Sequence, residues 1–153
     1  MKKLLRTTTL LMVLTMLLNL VACSSLGKVQ KALEDKGYAI VENEENDASK
    51  EAKDDERVTN FHVFTNKDSL SLADAYKLTL VVVTEFKATD DLIDYYKDSE
   101  TMQGIIADIK EDGTAEQIYN DLKEAGLACG NCLITPIGLD AENVLNAIKE
   151  LNK

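Results

Sequence analysis

Apolar residues along this chain of 153 residues follow two periods, and the switches between them outline a mixed fold. Val29, Ala32 and Leu33 share one helical face, and Gly37 stands where a left-handed helix end belongs. Tyr38-Ala39-Ile40-Val41 then reads as a strand. Val58 to Thr65 alternates, with Phe61 and Val63 on one face and His62 and Phe64 on the other. Asn66-Lys67-Asp68-Ser69 is a turn, and Leu70 to Ala75 reads as a single helical turn. Leu78 to Phe86 is the strongest strand. Leu78, Leu80, Val82 and Phe86 line one face and Val81 and Val83 the other, which predicts a central strand covered on both sides in its middle.

The second half is more helical. Thr89 and Asp90 open a helix with Leu92, Ile93 and Tyr96 inward, and Met102, Ile105, Ile106 and Ile109 continue at helical spacing. Asp112-Gly113 ends that stretch. Thr114-Ala115-Glu116-Gln117 is a capping box, in which the Thr hydroxyl and the Gln side chain satisfy opposite orphan amides. Ile118, Leu122 and Ala125 form the next buried stripe, closed by Gly126. Leu127 to Ile137 is extended. Asp140 then caps a last helix bearing Val144, Leu145, Ile148 and Leu151. These elements predict an α+β domain: a two-layer sandwich of helices on a mostly antiparallel sheet.

The spacing Val29-Leu33-Gly37-Ala39 repeats as Ile118-Leu122-Gly126-Ala128. Either the domain contains a duplicated unit, or the spacing marks the common junction of helix, glycine and strand.

Before the first helix the pattern changes. Lys2, Lys3 and Arg6 precede an almost wholly apolar run from Leu10 to Ala22, and no acidic residue occurs before Glu34. A basic head, a short apolar run and a small residue make a secretory signal, and the run is shorter than the ~20 residues a spanning helix needs. Leu20-Val21-Ala22-Cys23 resembles the lipobox of bacterial lipoproteins. The resemblance implies diacylglyceryl transfer to the Cys23 sulfur and cleavage between Ala22 and Cys23. The protein would then be lipid-anchored on the extracytoplasmic face of the cell membrane or outer membrane. Two acyl chains hold a protein stably where one does not. Cys23 is consumed by the anchor.

This reading divides the chain into a signal peptide (1–22), a tether (23–27) and one domain (28–153). Ser24 to Gly27, fully extended, reach about 14 Å. Within the domain, 42–57 reads as a mobile acidic loop. Eight of the fifteen residues from Glu42 to Glu56 are acidic, too few apolar groups to offset the entropy of ordering. The alternating oxygen ligands and central Gly of a calcium loop are missing around Glu44-Glu45-Asn46-Asp47.

Cleavage removes three basic residues and no acidic one, so the net charge of −10 becomes −13. Such a balance argues against nucleic acid as a partner and against electrostatic adhesion to anionic lipid. With no Trp and three Phe, there is little material for an aromatic sugar-binding platform.

Cys129-Gly130-Asn131-Cys132 is the only chemically suggestive group in the mature chain. In thioredoxin-like oxidoreductases the pair opens a helix whose dipole lowers the first thiol's pKa. Here it lies in an extended segment, with no Trp before it and no helix until Asp140, so position argues against that family. A disulfide is the other reading. Residues three apart in a straight strand are about 10 Å apart on opposite faces, beyond the ~7 Å limit for a bridge. Gly-Asn is a favoured two-residue turn, so a bonded pair requires a tight hairpin there.

A zinc site would need two further ligands, and His62 is the single histidine. His62 reads as a surface or packing residue, and Tyr76, Tyr95, Tyr96 and Tyr119 as core and rim. No phosphate loop, hydrolase elbow or paired-His motif occurs, so no catalytic residue, metal or cofactor is assigned. The expectation is an envelope lipoprotein acting as a binding module for a protein or small molecule, more a binder than an enzyme. The alternative is a thiol–disulfide oxidoreductase or redox sensor using Cys129 and Cys132.

Overall fold

A computed structural model describes residues 24–41, 54–66, 78–99, 102–103, 109 and 113–153. Helix α1 (Ser25–Asp35) leads into strand β1 (Tyr38–Ile40), followed by β2 (Val58–Asn66) and β3 (Leu80–Phe86). Two helices, α2 (Thr89–Asp98) and α3 (Ala115–Ala125), precede the hairpin of β4 (Ala128–Cys129) and β5 (Cys132–Ile137). Helix α4 (Ala141–Leu151) closes the chain. The strands form one antiparallel sheet in the order β1-β2-β3-β5-β4, so the most apolar strand is the central one. The α+β class expected from the alternating periods is the class found.

Side-chain alternation sorts the core into two clusters, one on each face. Cys132 and Ile134 point to one side of β5 and Leu133 to the other. The first face carries Tyr38, Phe64, Val81, Val83 and Ile134, covered by Val29 and Leu33 of α1 and by Val144 and Ile148 of α4. The second carries Phe86, Ala128 and Leu133, covered by Leu92, Ile93 and Tyr96 of α2 and by Ile118 and Leu122 of α3. Helices therefore pack on both faces of the sheet, which makes three layers where the sequence pattern indicated two, because alternation leaves apolar side chains on both sides of β3 and β5. Each fully buried Leu or Val contributes about 1.5–3 kcal/mol of apolar transfer free energy. Away from Phe86 the second face is less well covered, and Leu80 and Val82 are half-buried there.

The matching spacings of α1 and α3 do not extend to packing. Val29 and Leu33 belong to one cluster, Ile118 and Leu122 to the other, so the two helices lie on opposite faces. What they share is a helix end, at which Gly37 and Gly126 both adopt positive φ. Gly126 has a further reason to be glycine: a Cβ there would run into the Leu145 carbonyl of α4.

Local capping follows the sequence in part. The Thr114–Gln117 capping box forms, with Thr114 Oγ1 accepting from the Gln117 amide and Gln117 Oε1 from the Thr114 amide. Helix α2 starts at Thr89 from an Ala88 cap that offers no side-chain bond. Asp140 holds the capping position of α4, yet its carboxylate does not cap the helix. It accepts instead from the Tyr38 hydroxyl and the Asn143 side chain, while its own amide donates to Thr79 Oγ1.

Helix α1 begins earlier than its apolar spacing indicates. Ser24 Oγ accepts from the Gly27 amide as a side-chain cap, so Ser25, Leu26 and Gly27 are helical. Residues 25–27 of the expected 23–27 tether are thus part of the helix, with Ser24 as the cap that satisfies its first amides. Residues 42–53 of the acidic loop, the helical turn expected at 70–75, and most of the Met102–Ile109 stretch lie outside the described residues. Met102 and Ile109 themselves are buried in the cluster with α2 and α3. At the far end of the acidic stretch, Arg57 binds Asp55 at 2.8 Å and Asp98 of α2 at 2.6 Å, with its guanidinium over the Tyr95 ring.

Candidate functional site: the thiol hairpin

The β4–β5 hairpin brings Cys129 and Cys132 directly opposite each other, joined by Gly130 and Asn131. The turn that a bonded pair demands is present. Gly130 takes φ +58, which the twist of a tight hairpin favours and which L side chains rarely adopt. Directly opposed residues have Cα atoms about 4.5–5.5 Å apart, inside the range a disulfide spans. In this structure both cysteines are free thiols. Their side chains belong to the apolar cluster beneath α1 and α4, and their residues are 6 % and 0 % exposed.

The hairpin tip is held from several directions. The Phe86 amide donates to Asn131 O at 2.9 Å, and the Asn131 side-chain amide donates back to Phe86 O. The Tyr119 hydroxyl of α3 donates to Gly130 O at 2.9 Å. The first turn of α1 lies against the glycine itself, so that a Cβ on Gly130 would collide with the Ser25 side chain. Asn131 thus bonds the central strand besides making the turn. Its role in the turn is legible locally, but its bond to Phe86, 45 residues away, is not.

Burial at the tip disfavours thiolates. Burial pushes the Cys132 thiol up to about 12, and neighbouring Glu85 and Cys129 add to the shift. Glu85 is the cross-strand partner of Cys132 on β3, and it accepts a hydrogen bond from the Asn60 side chain. Burial also raises Cys129, opposed in part by Lys28 of α1 and Lys123 of α3. Thiol–disulfide exchange proceeds through the thiolate, and catalytic cysteines sit in electropositive, partly exposed surroundings with lowered pKa values. Both thiols here are buried with raised pKa values, and the two lysines near Cys129 do not offset its burial.

The remaining residues singled out from the sequence are dispersed. Cys23 lies outside the described residues, as does Tyr76. His62 is half-buried in β2 opposite Val83. Tyr96 is fully buried in the core, and Tyr95 packs on Phe86 with ring centroids 5.1 Å apart. No group of three or more His, Cys, Asp or Glu able to hold a metal occurs among the described residues. No described helix is long and apolar enough to cross a membrane. Sequence reasoning missed Tyr119 as a tether of the hairpin, and it missed Tyr38 and Asp140 as partners. The one local signal was an Asp at a helix start whose carboxylate had a competing use.

Large apolar side chains are exposed at Ile40 and Val41 on the β1 edge, at Ile137 at the end of β5 and at Leu139 just beyond it. Leu139, 78 % exposed, lies at the end of the sheet opposite the hairpin tip. Compared with protein-family models, curated proteins and solved structures, this chain matches none of them.

Proposed function

We propose that the protein is a lipid-anchored envelope lipoprotein whose domain acts as an extracytoplasmic binding or interaction module. The observation that carries this reading is Leu20-Val21-Ala22-Cys23 at the end of a basic-then-apolar leader. The start of a capped helix at Ser25 supports it, since a folded domain then begins directly behind the acylated residue. Exposed Ile137 and Leu139, at the end of the sheet away from Ser25, offer apolar surface to a partner. The raised pKa values of both thiols favour a packing or disulfide role for Cys129 and Cys132 over catalysis.

Intact mass of the protein extracted from bacterial membranes tests the anchor. A diacylglyceryl group on Cys23, with residues 1–22 removed, is the expected result, and Cys23→Ala should leave the protein unlipidated and released from membranes. A mature chain with an unmodified Cys23 would refute it. Photo-crosslinking from a reporter placed at Leu139 in intact envelopes tests the binding role. Partner capture should be lost when the reporter is moved to exposed Asp94 of α2.

A further inference from the structure

The register of the hairpin sets the spacing of its two thiols. The Ile134 amide donates to Leu127 O at 2.8 Å, which makes Leu127 and Ile134 a hydrogen-bonded pair. Such pairs alternate along an antiparallel ladder, so Cys129 and Cys132, two steps on, form another. The Cα atoms of such a pair are about 5.5 Å apart, the separation at which disulfides are commonest. Both side chains leave the same face of the hairpin, into the cluster under α1 and α4.

Helix α1 closes over this pair. Val29 and Leu33 share the cysteines' cluster, and Leu26 packs against it. Ser25 stands against Gly130, in the turn between the two cysteines. The thiols are not equivalent. Cys129 keeps 6 % exposure and has Lys28 of α1 and Lys123 of α3 near it. Cys132 is fully enclosed, with Glu85 opposite it on β3.

We propose that Cys129 and Cys132 form a disulfide across the hairpin, made by exchange with a carrier disulfide in the cell envelope and then sealed by α1. This inference rests on the extracytoplasmic location read from the leader, because disulfides persist there and are rare in the cytoplasm. Exchange needs α1 lifted from the tip, during folding or in a local opening. Cys129 reacts first, as the thiol with some exposure and two cations near it. Its deprotonated sulfur bonds to one sulfur of the carrier, the carrier's S–S bond breaks, and the departing thiolate takes up the proton. Cys132 then attacks Cys129 Sγ in the mixed disulfide, and its proton goes to the second carrier thiolate as that leaves. The protein loses two electrons and two protons, and the carrier gains both. Closing so short a loop adds little stability. The bond instead fixes the turn on which Ser25, Tyr119 and Phe86 converge, and it removes two thiols from further oxidation.

The test begins in bacterial cells producing the full chain with its leader. The cells are quenched in acid, and thiols are blocked with iodoacetamide under denaturing conditions. The tryptic peptide 124–149 holds both cysteines and no internal Lys or Arg. In protein whose Cys23 carries lipid, this peptide should be two hydrogens lighter than the dithiol and should take up alkyl groups only after reduction. Two alkyl groups without reduction, on lipidated protein, overturn the disulfide. A chain that retains residues 1–22 and carries no lipid fails the location reading instead, and the pair is then decided on purified protein.

In that second arm the reduced, folded chain is exposed to glutathione disulfide. The parent should close its own bond and retain no glutathione. Cys132→Ser should hold glutathione on Cys129, and Cys129→Ser should acquire it more slowly at Cys132. Glutathione retained on the parent, or a parent left reduced, overturns closure, and faster addition at Cys132 overturns the order of attack. Leu26→Ala should speed oxidation several-fold. Leu145→Ala, at a half-buried leucine of α4 packed on the opposite cluster, should not. Equal rates in the parent and Leu26→Ala, or equal acceleration by both variants, overturn the seal by α1.

Discussion

The Tyr38 hydroxyl donates a 2.7 Å hydrogen bond to Asp140 Oδ2, joining the start of β1 to the start of α4 across 102 residues of chain. Tyr38 is buried, and its hydroxyl is pushed well above the ordinary phenol range by burial first and by the Asp140 carboxylate second. The bond explains why Asp140 does not cap its own helix. A buried phenol needs an acceptor, whereas an amide at a helix start retains access to water.

Replacing Tyr38 by Phe keeps the ring in the core and deletes that donor. A bond to a charged acceptor carries about 1.5–3 kcal/mol, and the lower end applies because Asp140 is half-exposed and keeps Asn143. In urea unfolding, Tyr38→Phe should lower the midpoint at unchanged slope. An unchanged midpoint would show that the pair contributes nothing.

Gly130→Ala should destabilise the domain by at least about 1–3 kcal/mol, from φ +58 and from collision with Ser25. The two causes separate in a double-mutant cycle. In a Ser25→Gly background the collision is relieved and only the backbone term remains, so the penalty should be smaller. Equal penalties in both backgrounds would mean that α1 does not seat on the hairpin.

Cys132 makes stability depend on alkaline pH. Its thiol pKa is raised to about 12 in the folded protein, against about 8.5 in an unfolded chain. Above pH 8.5 the unfolded state releases this proton while the folded state holds it, so stability falls as pH rises. The contribution is complete below about 8.5 and is lost progressively toward 12. Denaturant midpoints of the reduced protein between pH 8 and 10.5 should decline, and Cys132→Ala should flatten the decline. Iodoacetamide should label native Cys132 far more slowly than the unfolded thiol. Rapid labelling at neutral pH would reopen the redox reading.

The Arg57 clamp gives the opposite dependence. Hydrogen bonds from Arg57 hold the Asp55 carboxyl below the usual carboxylate range. A lowered pKa stabilises the fold above the unfolded value of about 3.9, and the gain is lost as pH falls through the folded value. Both partners keep contact with solvent, so the gain is at most about 1 kcal/mol. Asp55→Asn should therefore unfold at lower urea than the parent at pH 7, and the gap should narrow as pH falls below the unfolded value of about 3.9. A gap that does not change with pH would trace the loss to something other than ionisation.

The sequence by itself determined the α+β class, the central position of Leu80–Phe86, the Thr114–Gln117 capping box, the two glycine helix ends and the hairpin at Gly130-Asn131. These follow from backbone periods and from residues acting on neighbours a few positions away. It also carries the lipobox resemblance, which needs no fold. Tertiary structure alone decided which face of the sheet each helix covers. It also turned Asp140 toward Tyr38 and buried Cys129 and Cys132 deeply enough to raise their pKa values. Two helices with the same stripe and the same cap, such as α1 and α3, carry no local mark of the face they cover. That choice depends on strand order and register, set by pairings between residues far apart in the chain.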